Sequence, residues 1–211
     1  MRARPRPRHH PLLAVLAEAH FLLHGWLRSG NCASARGVVE FLKEALALWS
    51  QRQKIRLVRA DSGFFDDQLL SFLEERRLPY IVVARMTRFI QREAQRVAHW
   101  RALDKNFSAG QFRLQLCGWG LARRFVVVRE RRSPKGRKLM DVPGYTFRVF
   151  VATRSDAEEE TWRDYNRRAG RRVVLHLSES CGGLKTRSSL IDSIFKWEFP
   201  ASPKLELALE T

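Results

Sequence analysis

Lys54-Ile55-Arg56-Leu57-Val58-Arg59-Ala60-Asp61-Ser62-Gly63-Phe64-Phe65 is the stretch whose reading decides the fold. Its first half predicts a short strand, and Asp-Ser-Gly predicts a turn into a helix carrying Leu69, Leu70 and Leu73. The next apolar run, Tyr80-Ile81-Val82-Val83-Ala84, has the unbroken hydrophobicity of a buried parallel strand. Together they make a β-α-β unit. In open α/β sheets ligands and metals bind at the carboxyl ends of strands, which places Asp61 where chemistry is expected. A plainer role is equally available to it, because an Asp or Ser ahead of a helix commonly accepts a hydrogen bond from the free N–H groups of the first turn. On local pattern alone the capping role is the commoner one.

Outward from this unit, residues 1–9 alternate Arg with Pro and predict a flexible basic arm. Leu12, Leu16, His20, Leu23 and Leu27 recur at helical spacing behind Pro11, so a packed helix is expected there, ended by Arg28-Ser29-Gly30-Asn31. Ser34 is placed to cap a second helix, with Val38, Leu42, Ala45 and Trp49 on one face. A further helix follows Arg85 through Phe89, Ala94 and Val97. From about Trp100 the period changes to two, in Phe112, Leu114 and Leu116 and again in Tyr145, Phe147, Val149 and Val151, with the apolar run Phe125 to Val128 between them. Gly118-Trp119-Gly120 suggests that the first two of these strands form a hairpin, and Arg131 to Gly144 reads as a long basic loop. Ser155 or Asp156 can cap a last helix, whose Glu158, Glu159 and Glu160 suit the positive end of its dipole.

The chain has 211 residues, room for one sizeable domain or two small ones, and 45% hydrophobic residues, enough for a core. Thirty-nine Lys and Arg against twenty-two Asp and Glu give a net charge of +17, which favours a polyanionic partner, nucleic acid first. Cys32, Cys117 and Cys181 lack metal or disulfide spacing and read as reduced thiols of a cytoplasmic protein. The arginine-rich start followed by Leu12 to Ala17 imitates a secretion leader, but its apolar block is short and continues amphipathically. Nothing in the chain approaches the about 20 apolar residues that a membrane span needs.

Arg59-Ala60-Asp61-Ser62-Gly63-Phe64 resembles the second-aspartate signature of DDE transposases from bacterial insertion sequences, and the likeness extends from about His10 to about Ala169. Leu27 to Asn31, Leu-Arg-Ser-Gly-Asn, is similar to that family's loop ahead of the strand bearing the second aspartate. Tyr165-Asn166-Arg167-Arg168-Ala169 resembles the start of its Y-x-x-R-x-x-x-E-x-x-x-x-x-x-K signature. The resemblance implies an α/β, incomplete ribonuclease-H-like fold with a β-rich insertion subdomain. It divides the chain into an arm (1–9), the α/β part of the core (10–99), the insertion (100–153), a core helix (154–170) and a divergent tail (171–211).

In that family two divalent ions, Mg²⁺ by expectation, are held by three carboxylates while DNA strands are cut and joined. Asp61 is the implied catalytic and metal-binding residue, and Arg28, Asn31, Arg59, Tyr165 and Arg168 are the implied DNA contacts. The insertion adds Arg123, Arg124, Arg131, Arg132, Lys135, Arg137 and Lys138 as basic residues beside which a duplex can lie. The pattern breaks at the third carboxylate, where Arg172 stands at the position due for glutamate and Glu179 at the one due for lysine. The first aspartate belongs to an opening strand upstream of the matched segment. The expectation is therefore a truncated, degenerate copy, either catalytically incomplete or a non-catalytic DNA-binding regulator. Its partners would be terminal inverted repeats and an intact transposase. Asp66, Asp67 and Glu158 to Glu160 are possible replacement acids, more often solvated helix-face residues than ligands.

Overall fold

The structure, a computed structural model, describes residues 9–17, 21–29, 31–49, 55–131, 145–153, 157–166 and 205–210. Their strands form a single nine-stranded mixed sheet. In chain order the elements are β1 (His9–Leu16), β2 (Phe21–Ser29), α1 (Val38–Ala47), β3 (Ile55–Ala60), a 3-10 turn (Ser62–Phe64), α2 (Asp67–Glu75), β4 (Tyr80–Val83) and α3 (Arg88–Arg96). There follow β5 (Arg101–Ala102), β6 (Phe107–Leu114), β7 (Arg123–Arg131), β8 (Tyr145–Ala152), α4 (Glu158–Asn166) and β9 (Leu205–Glu210). The strand order is β2-β1-β9-β3-β4-β8-β7-β6-β5. The expected β-α-β unit is present, with Val58 opposite Tyr80 and Ala60 opposite Val82 in parallel register.

The expected first helix is instead an antiparallel pair, β1 with β2, from His9 opposite Ser29 to Leu16 opposite Phe21. The reason lies in the periods. Leu12 and Leu16 are four apart, which suits both a helix face and one face of a strand. Ala14, between them, is also fully buried, and only alternation by two puts all three on the same side. The second helix also starts later than Ser34 suggested. Gly37, at φ 72°, precedes Val38 in left-handed geometry that a side chain resists, and no side chain caps α1.

Alternation along the central strands sorts the core onto two faces. Val58, Ala60, Val82, Val127, Val149 and Val151 point toward α1, α2 and α3, which contribute Phe41, Leu42, Leu69, Leu70, Leu73, Ile90 and Ala94. Leu57, Ile81, Val128, Phe150 and Ala152 point the other way, where Trp162 and Tyr165 of α4 pack on them. A Leu or Val so buried contributes about 1.5–3 kcal/mol, and helices cover both faces of the parallel centre. The β6-β7 hairpin forms as expected, turning through Gly118 at φ 80°. Its strands and β8 continue the same sheet, β8 pairing antiparallel with β4.

β9 fills the position between β1 and β3, antiparallel to the first and parallel to the second. Leu207 and Leu209 are buried there beside Leu12, Val58 and Ala60. Both edges of β3 are thereby paired, one by β4 and one by a strand from the tail.

One polar network fastens α2 to β7. Arg123, 4% exposed, donates from Nε to Glu74 Oε1 at 2.8 Å, from Nη2 to Glu74 Oε2 at 3.0 Å and to Ser71 Oγ at 3.0 Å, and it pairs with Asp67. Its guanidinium also lies 4.8 Å from the Trp119 ring. Burial works against its charge, but the hydrogen bonds to Glu74 and Asp67 outweigh burial and hold its pKa above the ordinary value. The Tyr80 hydroxyl donates to the same Glu74 Oε1 at 2.6 Å. Burial first, then that bond, pushes the phenol well above its usual 10.0. Arg123, expected from the sequence to lie beside a duplex, is therefore a buried strut and not a surface cation.

Replacing Arg123 with Gln leaves the two carboxylates without their cation, and chemical denaturation should show a loss of about 2–3 kcal/mol. Tyr80 stays neutral when folded, so the stability it supplies is intact below its unfolded pKa of 10.0 and declines as pH rises past it, where the unfolded chain ionises. Unfolding curves between about pH 9 and pH 11 should fall less steeply for Tyr80→Phe than for the parent.

Candidate functional site

The turn after β3 is built by its own side chains. Asp61, half-buried and extended at ψ −177°, caps the 3-10 turn by accepting the Gly63 N–H at 2.7 Å on Oδ1. Asp66 repeats the device one step later, accepting the Gln68 N–H at 3.0 Å to start α2. The capping role that local pattern suggested for Asp61 is thus realised. Its position at the carboxyl end of a parallel strand is realised as well.

Two arginines brace this region, one on the turn itself and one on the loop that packs against it. Arg85, just beyond β4, donates from Nε to the Ser62 carbonyl and from Nη2 to the Gly63 carbonyl, both at 3.0 Å. Arg28, near the end of β2, donates through Nη1 to the carbonyls of Ser34 and Arg36 at 2.9 Å each. Ser34 in turn lies against Gly63, so close that a Cβ on Gly63 would stand 2.9 Å from Ser34 Cβ and Oγ and 2.9 Å from Asp61 Oδ1. The loop ahead of α1 is therefore folded onto the Asp61 turn, and Ser34 serves that contact instead of capping a helix.

The other sequence-predicted contacts are spread around this centre. Asn31 is exposed and accepts the Ser29 hydroxyl at 2.6 Å, shaping the start of the same loop. Arg59 is 3% exposed on the α4 face of the sheet and donates to the Asp164 carbonyl at 2.7 Å. The Tyr165 ring packs on Phe150 with centroids 4.7 Å apart. Arg168 lies outside the described residues, as do Arg132, Lys135, Arg137, Lys138, Arg172 and Glu179. Sequence reading missed Arg85 and Asp164. Arg85 carried no signal beyond being one arginine among many. Asp164, 5% exposed and 3.6 Å from Arg56, sits beside the motif tyrosine.

Three of the possible replacement acids, Asp66, Asp67 and Glu159, have other partners. Asp67 pairs with Arg123, and Glu159 pairs with Arg163 at 2.7 Å one turn along α4. Among the described residues no three His, Cys, Asp or Glu side chains are grouped so as to hold a metal ion. Octahedral Mg²⁺ needs oxygen donors converging from separate elements, and Asp61 alone does not fit it.

Compared with known families, residues 8–172 match the one described as Transposase DDE domain group 1. No curated protein matches the chain.

The tight approach at Gly63 makes a specific prediction. Gly63→Ala must push Ser34 or the Asp61 carboxylate aside, and denaturation should show about 1–3 kcal/mol lost. Asp61→Ala, which only removes a cap, should cost about 1 kcal/mol.

Proposed function

The chain belongs to the transposase DDE domain group 1 family, whose general activity is DNA transposition with divalent ions and whose general partner is DNA, and from that premise we propose a copy that binds terminal inverted repeats without cutting them. One observation carries this reading: the Asp61 carboxylate at the carboxyl end of β3 serves as a cap, accepting the Gly63 N–H on Oδ1. The sequence supports the same view, since Arg172 stands where the family pattern calls for glutamate. A cation there repels the metal ions that a carboxylate would attract. Mg²⁺ is the ion whose chemistry the family pattern implies, and among the described residues Asp61 alone does not match its donor set. We assign no step of strand cleavage to this chain.

In this reading residues 10–99 and 154–170 supply the core, residues 100–153 the insertion, and Arg28, Asn31, Arg59, Tyr165 and Arg168 descend from the ancestral DNA track. Of these, Arg28 and Arg59 now hold carbonyl groups of the protein itself. Arg28 shapes the loop packed on the Asp61 turn, and Arg59 ties β3 to α4. A second reading, a regulator acting beside an intact transposase, follows from the same retained DNA affinity and lost carboxylate. Among the described residues no helix is long and apolar enough to cross a membrane.

The expected result with supercoiled plasmid and Mg²⁺ or Mn²⁺ is no nicking. Robust nicking that Asp61→Ala abolishes would contradict the proposal. In titrations at several salt concentrations, inverted-repeat duplex should bind more tightly than random duplex. Equal affinity would remove the inverted repeats as the partner and leave only charge attraction.

A further inference from the structure

α3 is an amphipathic helix of uneven charge. Ile90 and Ala94 are fully buried against the sheet, while Arg88, Arg92 and Arg96, four residues apart, are exposed on the opposite side. At a rise of 1.5 Å per residue the three cations form a row about 12 Å long. Its only acid, Glu93, meets Arg96 at 2.9 Å and Arg92 at 3.7 Å, so the helix keeps a net positive charge.

Two features set this row apart from an ordinary solvated face. Arg88 lies in the first turn, where the helix dipole favours an acid, and the first turn holds none. Helix stability therefore does not account for its placement. The Arg92 guanidinium stacks 5.2 Å from the ring of Phe89, itself 59% exposed, which holds the cation at the surface instead of letting it sweep through solvent. The row also has a fixed origin. Arg85, three residues before Arg88, is bonded to the Ser62 and Gly63 carbonyls, so the N-terminal end of α3 is tied to the Asp61 turn.

We infer that Arg88, Arg92 and Arg96 are a phosphate-binding track for one strand of duplex DNA, leading along α3 from the Asp61 turn. Successive phosphates of one strand rise about 3.4 Å along the duplex axis while turning around it, so three cations in a row about 12 Å long can meet about two or three of them. The track reads no bases. It fixes the orientation of the duplex, as contacts to the backbone do. This inference rests on the proposed DNA-binding function and names the surface that performs it.

The test compares the full chain with two triple variants of equal charge change. One is Arg88→Gln with Arg92→Gln and Arg96→Gln. The other is Lys43→Gln with Arg76→Gln and Arg77→Gln, which alters exposed cations around the end of α2 that lies away from Asp61. Affinity for an inverted-repeat duplex is measured by fluorescence anisotropy from low to high salt, with thermal melts confirming that each variant folds. The α3 variant should lose at least about 10-fold in affinity and lower the slope of log K against log salt by about 2–3, near 0.9 for each lost phosphate contact. The control should change the slope by less than about 1. Replacing the three α3 arginines with Lys should restore most of the affinity, which also separates lost contacts from lost folding. Equal losses in both triple variants would overturn the track and leave diffuse charge. A parent that binds DNA and an α3 variant that binds as tightly would overturn the track alone. A parent that binds no duplex overturns the DNA-binding function as well.

Discussion

The molecule depends on β3 being parallel to both of its neighbours. A parallel strand cannot be reached by a tight hairpin, so every connection to it must cross a face of the sheet. α2 makes that crossing between β3 and β4, and the buried Leu69, Leu70 and Leu73 are the consequence on the covered face. α4 closes the other face, where Arg59 reaches the Asp164 carbonyl. The carboxyl end of β3 is left open between these layers, and the Asp61 turn occupies it. The antiparallel strands β5 to β8 add width on one side only. Arg123, clamped by Glu74 and Asp67, keeps that wing from twisting independently of α2.

The middle of this arrangement was legible in the sequence because its signals are unambiguous. Ile55 to Ala60 and Tyr80 to Val83 are too short and too apolar for surface helices, and the alternation in Phe112 to Leu116 and in Tyr145 to Val151 has a period that no helix shares. The opening hairpin was not legible. Leu12 and Leu16 are four apart, which strand and helix both satisfy, and the decisive buried residue, Ala14, is too small to register as a hydrophobic signal. β9 was not legible either. Leu205, Leu207 and Leu209 alternate plainly, but partners so distant in the chain leave no local trace.

The site was legible in part. Asp61 and its turn were located by motif and by strand-end position. The support around it, Arg85 on the turn carbonyls and Ser34 against Gly63, depends on contacts between segments far apart in sequence. Arg28 and Arg59 show what a resemblance leaves open. A motif match gives the identity of a side chain at a position, while the hydrogen bonds that side chain makes are set by the packing of this particular chain. Here Arg28 and Arg59 each donate to carbonyl oxygens of the protein.

The placement of β9 carries a consequence for how the protein matures. β9 leaves the ribosome long after β1 and β3, yet it must slot between them, so the sheet's centre cannot close while the intervening elements are still being made. Until then β1 and β3 each present an unsatisfied backbone edge, the kind of surface on which nascent chains associate wrongly. Such long-range closure is slow. Yield of native protein should therefore be governed by how long those edges wait, and by whatever chaperone shields them meanwhile.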